Sequence, residues 1–263
     1  MPASVVPEAG RERSGSSQLL STAASRRIAA GLAACALLIW WLGAFTDLDL
    51  RLADAMFDRL HGVFPWRDAW LADTFNHRIL KTVLTVMASF VIAAAIADAA
   101  WPRERLGHVQ RLRLRIVALS AVLVPLVTSL LKSQSIAHCP WDLARYGGAE
   151  PYVRIFEALP LGASAGHCLP AGHASSALWL VSVLVLWLPG APRKAMLAAV
   201  FSLAAGFAVG WMQQLRGAHF LTHTLWSMWI ACAIVFALVL YAQRARRRNA
   251  ETIPDGLPAE RAG

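Results

Sequence analysis

Six long apolar runs limit what this chain can fold into more than any other feature of its sequence. The hydrocarbon core of a bilayer is about 30 Å thick, so a transmembrane helix needs about 20 mostly apolar residues. The runs therefore predict six transmembrane helices, at approximately 28–46, 82–100, 116–131, 173–188, 195–212 and 225–242. The third and fourth runs are short, and we expect them to reach membrane length by including flanking residues.

The composition agrees with a membrane protein. Charged residues make up 16% of the chain and hydrophobic residues 57%, whereas roughly a quarter of an average soluble domain is charged. We predict an all-α integral membrane protein whose residues 28–243 form one domain. Residues 1–27 and 244–263 hold too little apolar surface to form a core, so we expect two disordered tails. The first run exceeds the 7–15 residues of a signal-peptide core, which favours an uncleaved anchor.

Basic residues indicate the orientation. Arginines and lysines cluster before the first run, between the second and third, between the fourth and fifth, and after the sixth. By the positive-inside rule these connections and both tails are cytoplasmic. We expect a bacterial inner membrane, with the other helix ends in the periplasm. The net charge of +9 then reflects topology and contact with anionic lipids, and without a nucleic-acid-binding motif it does not indicate a nucleic-acid partner.

Two connections lie on the outer face. Residues 47–81 alternate apolar and charged residues, which is typical of an amphipathic helix on the membrane surface, although a solvated loop fits nearly as well. Residues 132–172 form a long outer loop, and long ordered loops are usually functional. The loop contains Cys139 and Cys168, and because the outside of a bacterial inner membrane permits disulfides, we predict that they pair. Such a bond typically contributes roughly 2–4 kcal/mol.

Cations and histidines gather at the outer helix ends. The residues concerned are Lys132, His173, Arg216, His219 and His223. A phosphate ester is bound by lysine and arginine donors and by backbone N–H groups at a helix start. One histidine can attack phosphorus while another protonates the leaving oxygen, because imidazole changes charge near neutral pH. This chemistry requires no metal or other cofactor.

Three segments carry a family resemblance. Lys132 with Pro140 eight residues later, the run Pro170-Ala171-Gly172-His173, and the run Arg216-Gly217-Ala218-His219 resemble the signature segments of the type-2 phosphatidic acid phosphatase superfamily, which includes the vanadium haloperoxidases. The resemblance implies an all-helical core, hydrolysis of a lipid phosphate through a phosphohistidine intermediate, and no metal cofactor.

The resemblance also implies roles for individual residues. Lys132 corresponds to the lysine that binds phosphate, and Gly172 to the glycine whose backbone contacts it. His173 corresponds to the histidine that protonates the leaving group, and His219 to the nucleophile. Arg216 lies three residues before His219 and would substitute for an arginine that the family places six residues before the nucleophile.

Four positions depart from the family pattern. Cys139 stands where the family has an arginine, so Arg145, Arg154 or Arg216 would have to compensate. Gln213 stands at a second arginine position, for which Arg216 would substitute. Ala171 replaces a serine. His223 stands where an aspartate normally orients the nucleophile. The departing residues are Cys139, Ala171, Gln213 and His223.

His223 alters the contact that normally orients the nucleophilic histidine. A neutral histidine can fix the tautomer of His219 but supplies no negative charge, which Asp142 or Glu157 of the long loop would have to provide. His223 could itself be the nucleophile, although this shifts the motif spacing by one residue, so we favour His219.

Two other classes of function remain open. His219 and His223 are one helical turn apart, and with His138, His167 and Cys139 they could bind zinc or copper. The chain could also be a non-catalytic relative that only binds lipid phosphate. We favour a membrane phosphatase acting on a lipid phosphate or diphosphate, or transferring the phosphate to another acceptor. Its partners would be that lipid and the membrane, and the sequence does not determine its oligomeric state.

Overall fold

The structure is a computed structural model that describes residues 18–102, 104, 106–155 and 157–251. These residues are 71% helical and contain no strand, which confirms the predicted all-α fold. We number the main helices as α1 (Thr22–Phe45), α2 (Leu48–Met56), α3 (Leu71–Ala100), α4 (His108–Ser133), α5 (Gly172–Trp187), α6 (Pro192–Leu215) and α7 (Leu221–Glu251).

Within the described residues, five helices are long and apolar enough to cross a membrane, namely α1, α3, α4, α6 and α7. The predicted count of six is therefore approximate, because α5 has only 16 residues. Its second part, Trp179–Trp187, is a 3₁₀-helix. A 3₁₀-helix rises about 2.0 Å per residue and an α-helix 1.5 Å, so α5 extends about 28 Å and approaches the thickness of the hydrocarbon core.

The helices extend into both segments assigned to the tails. The hydroxyl of Ser21 accepts a hydrogen bond from the Ala24 N–H at 3.2 Å and caps α1, so this helix begins six residues before the predicted span. At the other end, α7 continues to Glu251. The remaining tail residues, 1–17 and 252–263, lie outside the described residues.

The outer segment 47–81 is not one amphipathic helix. It divides into the nine-residue α2, a loop, and the first turns of α3, which begins at Leu71 and not at residue 82. Its first ten residues, Leu71–Leu80, are wound as a π-helix. Polar residues are tolerated there because several contact protein groups: Asn76, for example, donates to the Val209 carbonyl at 3.2 Å.

Helix α5 lies at the centre, packed against α3, α4, α6 and α7. Ala174, Leu178 and Val185 are fully buried on it. On α6, Gly206 approaches Leu178 so closely that an added Cβ would lie 2.2 Å from its Cδ2. Likewise, a Cβ added to Gly210 would lie 2.3 Å from Cγ2 of Thr224 in α7. Small residues let membrane helices pack closely, and this packing holds the outer ends of α5, α6 and α7 together.

The long outer loop folds back on itself. Cys139 and Cys168 form a disulfide 29 residues apart, and the Cys168 N–H donates to the Ala137 carbonyl at 2.9 Å. Two short 3₁₀ turns, Pro140–Asp142 and Ala144–Tyr146, follow the first cysteine. The Trp141 N–H donates to the Gly217 carbonyl at 3.0 Å, so the loop is held against the turn between α6 and α7.

Candidate active site

Four histidines form a continuous row at the helix ends that are predicted to face outward. The ring centroids of His77 and His173 are 4.1 Å apart, those of His173 and His219 are 6.3 Å apart, and those of His219 and His223 are 5.8 Å apart. They come from α3, α5, the α6–α7 turn and α7 respectively. The structure therefore brings together the three predicted histidines and adds His77, to which the sequence analysis assigned no role.

His219 is buried in the turn between α6 and α7. Gly217 allows this turn because its φ is +74°, which favours glycine, and because a Cβ there would lie 2.4 Å from Phe64. The Ala218 N–H donates to the Gln213 carbonyl at 2.9 Å. These contacts fix the backbone that carries the candidate nucleophile.

A disulfide sulfur contacts the His219 ring. Cys168 Sγ lies 3.4 Å from His219 Nδ1. A disulfide sulfur has no proton to donate, so a hydrogen bond here requires the proton to be on Nδ1. The contact thus favours the tautomer in which Nε2 has a free lone pair, as a nucleophilic imidazole requires.

Burial lowers the pKa of His219 well below the usual 6.5, and positive charge at Lys132 adds to the effect, while the Cys168 backbone opposes it. Desolvation disfavours the charged imidazolium. His219 is therefore neutral near pH 7, and only the neutral imidazole can attack phosphorus.

His173 lies in the first turn of α5. Both of its ring nitrogens are buried and have no hydrogen-bond partner in the described part of the chain. Nδ1 of His77 and Nδ1 of His223 are also buried and have no hydrogen-bond partner among the described residues. Buried polar atoms are normally hydrogen-bonded, so this set of unpartnered nitrogens fits a polar group that enters the site.

A cleft of about 410 Å³ opens beside His173, between α3, α4 and α5. Lys81, Lys132, Gly172 and His173 line it. The Lys132 side chain passes close to Gly172: a Cβ on this glycine would lie 4.0 Å from Nζ. The cleft therefore places two ammonium groups beside the candidate proton donor.

The same cleft continues along apolar side chains. Leu84 and Ala88 follow Lys81 in α3, Pro125 precedes Lys132 in α4, and Trp179 follows His173 in α5. In each of these helices, the apolar residues lie farther from the predicted outer end than Lys81, Lys132 or His173. The hydroxyl residues Thr85, Ser129, Ser175 and Ser176 also line the cleft. The cleft is thus cationic at its outer end and mainly apolar at the end toward the membrane interior.

Arg216 makes three contacts within the protein. It donates to Asp73 Oδ1 at 2.7 Å, to the Arg67 carbonyl at 2.9 Å and to Gln213 Oε1 at 3.1 Å. Gln213 is buried at the position where the resemblance expects an arginine, and its Nε2 has no partner among the described residues. Arg216 thus contacts the residue that it would replace, but its charge is balanced by Asp73.

The other two candidate arginines are engaged elsewhere. Arg145 donates to Asp54 at 2.8 Å, and Arg154 donates to the Thr46 carbonyl at 2.6 Å and pairs with Asp47. These contacts tie the long outer loop to α2 and to the end of α1. The pKa of the Asp54 carboxyl is lowered mainly by its hydrogen bond with Arg145, as expected for an ion pair.

His223 packs beside His219 and Phe220. The Asp142 carboxylate instead accepts from the Cys139 N–H, and that of Glu157 from the Arg154 N–H. In the described ranges, no carboxylate is hydrogen-bonded or ion-paired with His219 or His223. The negative charge expected from the loop is therefore not at the nucleophile.

The proposed metal ligands do not converge. His138 pairs with Glu150 at 3.4 Å, and His167 is exposed with a φ of +49°. Cys139, Cys168 and His219 offer ligand atoms within 4.8 Å of one another, but both sulfurs belong to the disulfide. Metal binding by sulfur needs thiolates, so this group does not fit a metal while the disulfide is intact.

One face of α3 contacts all three predicted segments. Asp73, His77 and Lys81 follow each other at intervals of four residues. Asp73 pairs with Arg216, His77 packs on His173, and Lys81 shares the cleft with Lys132. These three residues could have been found in the sequence from their four-residue spacing directly before an apolar run, because residues so spaced lie on one helix face.

Comparison with known proteins supports the predicted family. The family model described as PAP2 superfamily matches residues 113–247, which contain α5, α6 and most of α4 and α7. No curated protein and no solved structure matches the chain significantly.

Proposed function

The chain belongs to the PAP2 superfamily, a phosphatase-type family, and from this premise we propose that it removes phosphate from a lipid phosphate or diphosphate at the outer face of a membrane. The observation that carries the proposal is the cleft beside His173. Its outer end offers Lys81 and Lys132, and its inner end is mainly apolar.

The cleft suits a lipid because of this gradient. A phosphate at the outer end would contact ammonium groups, which favour anions. The chain attached to it would lie along Leu84, Ala88 and Trp179, away from water. A small hydrophilic phosphate ester would leave this apolar part without a partner. We therefore favour a substrate that enters from the bilayer.

The mechanism has two steps. His219 Nε2 attacks phosphorus and forms an N–P bond while the bond to the leaving oxygen breaks. His173 begins this step as the imidazolium, the form that a bound phosphate dianion favours, and donates its proton to that oxygen, so the product leaves as an alcohol or as a lipid monophosphate. In the second step His173 takes a proton from water, whose oxygen attacks the phosphohistidine. Inorganic phosphate is released and both imidazoles return to their starting states.

The surrounding residues stabilise charge and geometry. In this mechanism Lys132 and the Gly172 N–H bind the phosphate oxygens, which carry the charge of the transition state. Arg216 anchors the turn before His219 through its hydrogen bond to Gln213. His223 packs on the His219 ring and limits its orientation.

The test is phosphate release from purified protein over a panel of lipid phosphates and diphosphates. We expect at least one to be hydrolysed, and His219→Ala to lower its rate by at least about 10³-fold. His61→Ala is the matched control, since this histidine is exposed and pairs with Asp58, away from the candidate site. Release by His219→Ala at the wild-type rate would contradict the proposed nucleophile. Lipid binding by the wild type without release from any lipid would instead indicate a non-catalytic relative.

A further inference from the structure

Lysine is rare in this chain, and its positions are informative. Of the 25 basic side chains only three are lysines, at positions 81, 132 and 194. Two of them, Lys81 and Lys132, line the cleft beside His173. Arginine carries the charge almost everywhere else, including the cytoplasmic connections that set the topology. Two of the three lysines therefore lie at the candidate site, where a compact ammonium group on a flexible side chain suits anion binding.

Neither of these two lysines has a carboxylate partner among the residues that the structure describes. No ion pair within the described residues involves Lys81 or Lys132, whereas Arg145, Arg154 and Arg216 each pair with an aspartate. The nearest acid on the face of α3 that carries Lys81 is Asp73, which is already paired with Arg78 and Arg216. The outer end of the cleft thus has two uncompensated positive charges.

These charges act on each other. Lys81 and Lys132 line the same cleft, and like charges repel. A bound anion relieves this repulsion. A phosphate monoester carries a charge of about −1.5 to −2 near neutral pH, so it matches two ammonium groups closely. The cleft is therefore complementary to one dianionic phosphate.

The motif segments alone leave the site short of cations. Cys139 and Gln213 occupy the positions where the resemblance places arginines, and Arg216 is balanced by Asp73. Lys81 lies outside residues 113–247, the part that matches the family. A cation from α3 would supply charge that the matched segments lack.

We propose that Lys81 is a phosphate-binding residue, and that Lys81 and Lys132 hold the phosphate between α3 and α4. This inference rests on the proposed function, because it assigns a further residue to the same site. Lys132 lines the cleft from the end of α4 and Lys81 lines it from α3, and both carry an ammonium group on a long, flexible side chain.

The test compares Lys81→Met with Lys194→Met. Both replace an ammonium by an apolar side chain of similar length, but Lys194 lies at the opposite end of the bundle, in the first turn of α6. We expect Lys81→Met to lower kcat/KM for phosphate release and to weaken inhibition by vanadate, each by about 10- to 100-fold, the effect of losing a charged hydrogen bond. Lys81→Arg retains the charge and should recover most of the loss.

Two outcomes would overturn the inference. One is a Lys81→Met enzyme within twofold of Lys194→Met in both measurements. The other is a Lys81→Arg enzyme as impaired as Lys81→Met, although both elute from size exclusion in detergent like the wild type. If the wild type hydrolyses no lipid phosphate, the proposed function fails but this inference is still decided by calorimetric titration with inorganic phosphate. Weaker phosphate binding by Lys81→Met than by Lys194→Met would support it, and equal binding would refute it.

Discussion

His173 is held by a residue that no motif contains. Its ring lies 4.1 Å from that of His77 at an angle of 35°, and neither nitrogen of His173 is hydrogen-bonded within the described residues. Ring packing is thus the main contact that orients this imidazole. The orientation matters because a proton donor must face the leaving oxygen within hydrogen-bond distance.

We predict that His77→Ala lowers kcat for phosphate release by about 10- to 100-fold, because small misplacements of a catalytic group have effects of this size. His77→Phe retains a ring against His173 and should keep most of the activity. Steady-state kinetics of both variants on the best lipid substrate make the comparison. Equal loss in the two variants would show that the His77 nitrogens matter and not the packing.

At the scale of elements, the outer loop and the α6–α7 turn form one unit. The disulfide joins the two ends of the loop, and Cys168 Sγ contacts both His219 Nδ1 and the Ala218 carbonyl, the latter at 3.2 Å. The loop therefore does more than connect α4 and α5. It covers the residue that we propose as the nucleophile.

Replacing Cys139 and Cys168 together by serine should lower the free energy of unfolding by roughly 2–4 kcal/mol and reduce phosphate release. Cys35→Ser is the control, since Cys35 is a free cysteine exposed on α1. Thermal unfolding in detergent measures the first effect. Alkylation of non-reduced membranes provides a direct check, because finding both thiols free would contradict the disulfide.

Helix α6 depends on two glycines spaced four residues apart. An added methyl group would meet Leu178 at Gly206 and Thr224 at Gly210. We expect Gly206→Ala and Gly210→Ala each to destabilise the protein by about 1–3 kcal/mol, the usual cost of overpacking. Gly31→Ala on α1 is the control, because no atom lies within 4 Å of its Cβ position. Unfolding temperatures equal to that of the control would refute this packing.

At the scale of the whole molecule, the candidate site extends beyond the residues that match the family model. Residues 113–247 provide Lys132, Gly172, His173 and His219, but α3 adds Asp73, His77 and Lys81 from outside this range. The candidate site therefore depends on the packing of α3 beside α4 and α5. The arrangement also places every candidate residue at the same ends of the helices.

The orientation of this assembly is a prediction from the basic residues. In a variant without free cysteines, Leu161→Cys should react with a membrane-impermeant maleimide in intact cells, because this position in the long outer loop is fully exposed. Lys194→Cys, on the opposite side, should react only after permeabilisation. The reverse pattern would place the site in the cytoplasm.

The sequence by itself determined the all-α membrane fold and the family. Apolar runs of membrane length admit few alternatives, and motif residues such as His173 and His219 are recognisable from their close neighbours in the chain. It did not show that the Arg216 guanidinium pairs with Asp73, because the two residues are 143 positions apart in the chain. Nor did it show that His77 packs on His173 or that Lys81 lines the cleft beside His173. Such contacts depend on how helices pack, and only the tertiary structure decides which faces of α3, α4 and α5 meet.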